Sequence, residues 1–369
     1  MSRKYRQGRP TIGVLAGWQF AWTPTPLSYL DPIFRGASLA AHNLGCNLLL
    51  GCGMGPWTGR SESLRAAWPL VSSESDFVPI GPWNTDGLIA INPLHSQVRS
   101  RYLQDLIADG HPVVYVGSGE RGPTVTVDNR SGVHEAMQHL VEHGHRRIAF
   151  IAGSPKDLEG DTGVRLDAYH TAVATYGLIA DPRLVAWGRH VYDGGYAAMR
   201  AILSSGVSFS AVLASNDESA LGAMEALRED GRRIPQDVAI IGFDDRPESA
   251  VQKPALSSVR VPLFEMGYRA VESLSRSITG QTETVEYFKI PTRLMARESC
   301  GCSPTALSTD AARAPASQQK LTDSAAGRKR LVQTMAAPIL ECAPRRQIQK
   351  AWNHPRYGLQ HPVLRKRGL

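Results

Sequence analysis

Residues Ala211 to Arg246, AVLASNDESALGAMEALREDGRRIPQDVAIIGFDDR, decide how the rest of the chain is read. Ala211–Ser215 is a short apolar run of buried-strand length, and Asn216-Asp217 follows as a turn whose aspartate is placed to cap a helix. From Ser219 to Glu229, Leu221, Met224, Ala226 and Leu227 recur at helical spacing, and Gly231 stops the helix. Val238–Gly242 is the next strand and Asp244-Asp245 the next acidic turn. A strand joined through a helix to a second strand is a right-handed crossover in a parallel sheet. Ligands of such sheets bind beyond the carboxyl ends of the strands, where Asp217 and Asp244 fall.

The same alternation extends in both directions. Upstream, strands are expected at Thr11–Ala16, Asn47–Leu50, Asp86–Ile91 and Pro112–Val116, with helices at Phe34–Leu44, Glu62–Leu70 and Arg99–Asp109. A helix over Gly132–His143, a strand from His145 to Gly153 and helices Arg165–Tyr176 and Tyr192–Leu203 lead into the central stretch. Downstream lie an amphipathic helix, Phe264–Ile278, and a last strand, Tyr287–Pro291. Strands that alternate with helices predict a doubly wound α/β sheet rather than a barrel or sandwich. After the first strand, Trp18, Phe20 and Trp22 stand at alternating positions. They fit either half of a buried strand or the lining of a pocket, since aromatic faces stack on the apolar faces of sugar rings.

Composition removes several function classes. The 369 residues allow two domains of ordinary size. No apolar run reaches the roughly eighteen residues of a membrane span, and the N-terminal one is too short for a signal peptide, so a cytoplasmic protein is expected. Five cysteines do not make a disulfide framework. Of 41 Lys/Arg and 34 Asp/Glu, twelve and three lie beyond residue 302, which leaves 29 and 31 in residues 1–302. The net charge of +7 therefore sits at the ends, and the folded core is mildly acidic, unlike a DNA-binding domain. Residues 1–9 are a basic arm. Residues 303–369 are a basic linker and tail, with one possible helix at Arg330–Leu340 and disorder expected elsewhere. Neither a P-loop nor a Gly-x-Ser-x-Gly elbow is present, and Asp244-Asp245 has no acid–base partner in the sequence. No enzyme activity and no cofactor are expected, and Asp244-Asp245 reads as a turn and interface element.

Several motifs carry a family resemblance: Asn216-Asp217, Gly231-Arg-Arg-Ile-Pro-Gln-Asp-Val238, Gly242-Phe-Asp-Asp245, Val127-Asp128-Asn129, and the run from His139-Leu140 through Gly144-His-Arg-Arg-Ile-Ala149. With these motifs the chain resembles the effector-binding core of LacI/GalR-type transcriptional regulators, relatives of periplasmic sugar-binding proteins, over roughly residues 10–302. The resemblance implies two doubly wound subdomains joined by three crossings. Residues 10–143 plus 259–283 are expected in the first, and 144–258 plus 284–302 in the second. It also implies a homodimer that closes on a small polar ligand, with a sugar as the first expectation. Arg165, Asp217, Asp128 and Asp193 then fall at ligand-contacting positions: carboxylates accept paired hydroxyls, and a guanidinium offers a planar donor fork. Spacing alone equally allows Asp217 and Asp193 as helix caps and Arg165 as a surface ion-pair residue. The resemblance favours the ligand role for Arg165 and Asp217 and leaves Asp128 and Asp193 open. Alanine at Arg165 or Asp217 is expected to abolish the ligand response and leave the fold intact.

Residues 1–9 are too short for a helix-turn-helix, so contact with DNA is expected to be indirect or weak. The alternative reading is an input module of a multidomain signalling protein cut short at its C-terminus. His134, His139, His143 and His145 cluster locally, and Cys300-Gly301-Cys302 closes the core. The resembling family carries the histidine pattern without a metal, and the cysteine pair has no second ligand pair at useful spacing. No metal is therefore expected.

Overall fold

The computed structural model describes residues 8–19, 24–53, 80–92, 97–117, 122–281 and 287–303. The expected helices over Glu62–Leu70 and Arg330–Leu340, Phe20, Trp22, and nearly all of the basic tail lie outside them. So do the side chain of Trp18 and most of the basic arm.

The chain opens with β1 (Thr11–Gln19), α1 (Pro24–Asn43), β2 (Asn47–Gly53), β3 (Gly87–Ile91), α2 (Gln97–Ala108), β4 (Val113–Val116) and β5 (Thr124–Val127). A second series follows: α3 (Asn129–Glu142), β6 (Ile148–Ala152), α4 (Asp161–Thr175), β7 (Val185–Trp187), α5 (Tyr192–Ser204), β8 (Ala211–Ala214), α6 (Asp217–Glu229), β9 (Ala239–Asp244), α7 (Pro247–Val251) and β10 (Ser257–Arg260). The last elements are α8 (Leu263–Ile278), β11 (Tyr287–Ile290) and β12 (Arg293–Met295).

Two six-stranded sheets result, ordered β11-β5-β4-β3-β1-β2 and β12-β10-β9-β8-β6-β7. Every pairing is parallel except that of β10 with β12. Strands such as GLIAI of β3, IAFIA of β6 and AVLA of β8 are buried along their whole length. Continuous apolar runs of this kind belong to parallel sheets with helices on both faces. The strand order reverses once in each sheet, between β1 and β3 and between β6 and β8, and crevices for ligands open at such switch points. This is the expected doubly wound α/β architecture, built twice.

The crossings fall elsewhere than the sequence reading places them. The backbone leaves the first lobe at Asp128, because α3 buries Val133, Ala136, Met137 and Leu140 and packs against α4, β8, β10 and β12. It returns at Val261-Pro262, since β10 still pairs with β9 whereas α8 packs on α1 and on β3, β4 and β5. It crosses again at Pro291-Thr292, since β11 pairs with β5 and β12 with β10. Residues 129–143 thus belong with the second lobe, 259–260 also with the second, and 287–290 with the first. An amphipathic helix shows which of its faces is apolar but not which sheet that face covers, so the pattern could not assign α3. The first and third crossings lie side by side: Asp128 N donates to Ile290 O at 2.8 Å and Thr292 Oγ1 to Asp128 O at 3.0 Å.

The α1–α8 pair has a reciprocal glycine contact. A Cβ on Gly36 would meet Phe264 O at 1.9 Å, and one on Gly267 would meet Ile33 O at 1.9 Å. The two backbones touch where neither residue has a side chain, which fixes the first lobe's helix layer. No helix among the described residues is long and apolar enough to cross a membrane.

Candidate functional site

The polar residues of the core gather where the strands end. β8 runs out at Ala214 into Ser215, Asn216 and Asp217, β9 ends in Asp244, and β6 leads through Gly153 to Asp161 and Thr162 at the start of α4. Asp161, not Arg165, opens α4, so Arg165 stands one turn in and is buried at 5% exposure. Its guanidinium donates from Nε to Asn129 Oδ1 at 2.8 Å and from a terminal nitrogen to Ser215 O. It lies over the Phe243 ring at 3.8 Å from the centroid and reaches within 3.9 Å of Asp244 Oδ1. Asn129 in turn donates from Nδ2 to Asp161 Oδ1 at 2.7 Å. From the loop after β7, His190 Nε2 pairs with Thr162 Oγ1 at 2.9 Å, and its carbonyl accepts from Asn216 Nδ2 at 3.1 Å. From the first lobe, Tyr29 of α1 and Asn92 beyond β3 meet through Asn92 Nδ2 and the tyrosine hydroxyl at 3.4 Å. Burial raises the Tyr29 hydroxyl, and the charges of Asp244 and Asp161 add to that, with Arg165 opposing. The two lobes therefore bring one electrostatic network together.

Backbone strain marks the same places. Among the described residues, the non-glycine positions with positive φ are Asn92 (38°), Arg189 (56°), His190 (59°), Asp244 (107°) and Asp245 (54°). All follow or end a strand at its carboxyl end, and strain of this kind concentrates at binding sites.

Asp217 takes a different place from the one expected. Asn216, not Asp217, caps α6, its side chain accepting from Ser219 N at 3.0 Å. The Asp217 carboxylate is fully buried. It accepts from Arg246 N at 2.8 Å, Ser249 Oγ at 2.6 Å and Ser258 Oγ at 2.6 Å. A Cβ on Gly242 would fall 2.2 Å from Asp217 Oδ1, so glycine leaves the room this carboxylate needs. Three protein donors thus occupy Asp217, which ties α6 to α7 and β10 beneath the strand ends. Asp244 is the carboxylate beside Arg165, and its position as the last residue of a buried apolar run was the signal for it. Its neighbour Asp245 is structural, held by Arg260 Nε and an Arg297 terminal nitrogen, both at 2.6 Å. Asp128 caps α3 through Ser131 N at 3.2 Å and pairs with Lys289 Nζ at 3.4 Å, which puts it at the first crossing. Asp193 is exposed in the first turn of α5 and takes no part in the Arg165 network. The pattern singled out Arg165 but not Asn129, Asp161, His190, Asn216, Tyr29 or Asn92, because no spacing rule joins residues from six separate strand ends.

The electrostatics are those of a dry site. Burial pushes Asp244 up to about 8, with Arg165 pulling it down and Asp217 pushing it further up. Burial, and then Arg165, push His190 down to about 4, so the imidazole is neutral at pH 7. For Asp244 the folded value lies above the unfolded one, so stability is intact at low pH and is lost as pH rises through about 8. The melting temperature is expected to fall as pH rises from about 5 to about 8, and Asp244→Asn should flatten that fall. Equal slopes in the two proteins, followed by scanning fluorimetry, would remove Asp244 as its source.

The four histidines separate in space. His134 stacks on Tyr176, and His145 Nδ1 bonds Ser210 Oγ at 2.9 Å. His139 and His143 instead meet Cys300 and Cys302. The cysteine pair therefore has the second pair of ligand-type side chains that its own stretch of sequence lacks, which removes one of the two reasons for expecting no metal. Chain spacing hid this because 161 residues separate His139 from Cys300.

Comparison with known proteins agrees with the fold. The family of periplasmic binding protein-like domains matches residues 137–300. The solved structure of the transcriptional regulator CelR in complex with cellobiose superposes with a TM-score of 0.66 at 30% identity, covering 80% of this chain and 86% of that one. A regulatory protein of the LacI family from Chloroflexus aggregans gives 0.62 at 26% identity, covering 79% and 98%. The chain belongs to the LacI/GalR family of transcriptional regulators. Among curated family members, CelR of Thermobifida fusca is 40% identical over 195 residues, covering 52% of this chain and 57% of that protein. AscG of Escherichia coli is 38% identical over 144 residues, covering 39% and 42%. The chain thus spans about half the length of the curated relatives it matches. Both relatives are transcriptional regulators.

Proposed function

We propose that the face between the two lobes binds a small hydroxyl-rich effector, with sugars as the first class. Closure on that effector then sets the state of a cytoplasmic, homodimeric transcriptional regulator. The observation that carries this reading is the buried Arg165 guanidinium beside Asp244 and Asp161, opposite Tyr29 and Asn92 of the other lobe. Neighbouring hydroxyls of a sugar are met by such carboxyl groups, and ring oxygens by a guanidinium. The three crossings act as a hinge, and an effector that contacts both lobes favours the closed population. The relative solved with cellobiose makes β-linked disaccharides the first compounds to try. The response reaches DNA through the regulator assembly, since residues 1–302 carry no excess of basic residues. Asp217 and Asp128 support the site from behind, and Asp193 lies outside it.

A thermal-shift panel of monosaccharides, disaccharides and nucleosides tests the proposal. One compound class is expected to raise the melting temperature, since a ligand at a hundred times its Kd adds about 2.7 kcal/mol. Asp244→Ala should lose the shift, and Asp193→Ala should keep it. A panel with no responder, or a responder indifferent to Asp244→Ala, would remove this face as the effector site.

A further inference from the structure

His139, in the last turn of α3, and His143, its C-cap, lie one turn apart, with ring centroids 4.3 Å apart. Opposite them the core closes with a 3₁₀ turn, Glu298–Cys300, and then Gly301 in the left-handed region at φ 91°. That reversal returns Cys302 to the side of Cys300. The turn is held rigidly: Ser299 N donates to Ala255 O at 3.0 Å, Ser257 N to Ser299 Oγ at 2.8 Å, and Ser299 Oγ to Ile240 O at 2.6 Å.

The ligand atoms of His139, Cys300 and Cys302 all lie within 4.8 Å of one another. His139 Nε2 is 3.2 Å from Cys300 Sγ and 3.6 Å from Cys302 Sγ, and His143 Nε2 is 3.6 Å from Cys302 Sγ. Tetrahedral zinc, with bonds of about 2.3 Å to sulfur and about 2.05 Å to nitrogen, sets sulfur and nitrogen ligands about 3.6 Å apart. His139 and His143 each stand one such edge, 3.6 Å, from Cys302, and His139 lies 3.2 Å from Cys300. Cys300 is buried and Cys302 and His139 are half-buried, with His143 exposed at the mouth, so an ion would have both shelter and an entry path.

We propose that His139, His143, Cys300 and Cys302 form a Cys₂His₂ site for a soft divalent cation, zinc first, with Cys300, Cys302 and His139 as its core and His143 as the fourth ligand. Binding replaces two thiol protons by one Zn²⁺, releasing both protons to solvent with no change of oxidation state. The ion fastens the end of the core to α3, the helix that begins at the first crossing. His139 lies about 15 Å along α3 from Asn129, so the site is separate from the effector face. Thiolate and imidazole ligands select zinc over magnesium or calcium, which prefer oxygen.

The test uses the full chain, purified without a histidine tag, stripped with a chelator and kept reduced. Co²⁺ titration should saturate at one equivalent. It should give intense visible bands of tetrahedral cobalt and a near-ultraviolet thiolate-to-cobalt band, both erased by one equivalent of Zn²⁺. Cys302→Ser, at a half-buried position, should lose most of the thiolate band, and His143→Ala should weaken binding at least roughly tenfold. Zinc should also raise the melting temperature of the wild-type chain but not of Cys302→Ser. Weak octahedral cobalt bands indifferent to Cys302→Ser, an adventitious ion only, or recovery of Cys300 and Cys302 as a disulfide from reduced protein would each overturn the proposal. None of these outcomes depends on whether the effector face binds a sugar.

Discussion

Asp217→Ala is expected to lose on the order of 3–5 kcal/mol of folding stability, read from urea denaturation of the effector core. The carboxylate accepts from one backbone N–H and two serine hydroxyls, and all three partners, Arg246, Ser249 and Ser258, are buried. Truncation strands these donors in a dry interior, where each unmade bond costs about 1–3 kcal/mol. The serine hydroxyls can rotate towards other acceptors, but the Arg246 N–H cannot, and this keeps the total below the upper sum. Asp217→Asn separates charge from shape. Its side-chain oxygen still takes the Arg246 N–H while its amide donates to a serine oxygen, so a loss near about 1 kcal/mol is expected. Burial raises Asp217 to about 6 against three lowering hydrogen bonds, so its contribution to wild-type stability is lost as pH rises through about 6. The asparagine variant carries no such slope. A wild-type midpoint in Asp217→Ala would show that the carboxylate is dispensable to the fold and return it to the effector face.

The contrast between Asp217 and Asp244 shows what the chain's pattern reveals and what it does not. Both stand at the carboxyl ends of strands, the edge at which strand-end logic expected them. Which of the two faces the guanidinium depends on the turn that follows. The β9 turn passes through two positive-φ residues, which aims Asp244 at Arg165 and Asp245 at Arg260 and Arg297. Such φ values are not written in residue types other than glycine. The architecture was legible for the opposite reason: runs like AIIGFD and IAFIA are buried throughout, so only a strand covered on both faces accommodates them. Lobe membership was not, because α3 and β11 join partners distant in sequence. The cysteine–histidine cluster escaped notice for the same reason, as spacing rules recognise ligand pairs only when one short loop carries them.

Arg165→Ala is expected to abolish the effector response and to destabilise the core by about 3 kcal/mol. Its loss leaves the Ser215 carbonyl and Asn129 Oδ1 without their donor, takes a cation from the Phe243 face, and leaves Asp244 beside Asp161 and Asp217 with a positive neighbour removed. The last effect works against itself in part, since Asp244 then holds its proton to still higher pH and sheds its charge. Because Arg165 also contacts Asn129, the first residue beyond the first crossing, the damage extends to the hinge. Arg165→Lys keeps the charge but not the planar fork, and one ammonium cannot span Asn129 and Ser215 while stacking on Phe243. The lysine variant should stay folded, within about 2 kcal/mol of wild type, and still lose at least roughly tenfold in effector affinity. Titration calorimetry on Arg165→Lys, with the compound found in the thermal-shift panel, reads that loss on a protein shown to be folded. A folded Arg165→Lys chain that binds this compound at wild-type strength would show that the guanidinium holds the second lobe together without touching the effector. The contact to the ligand would then rest on Asp244 and the first-lobe residues Tyr29 and Asn92.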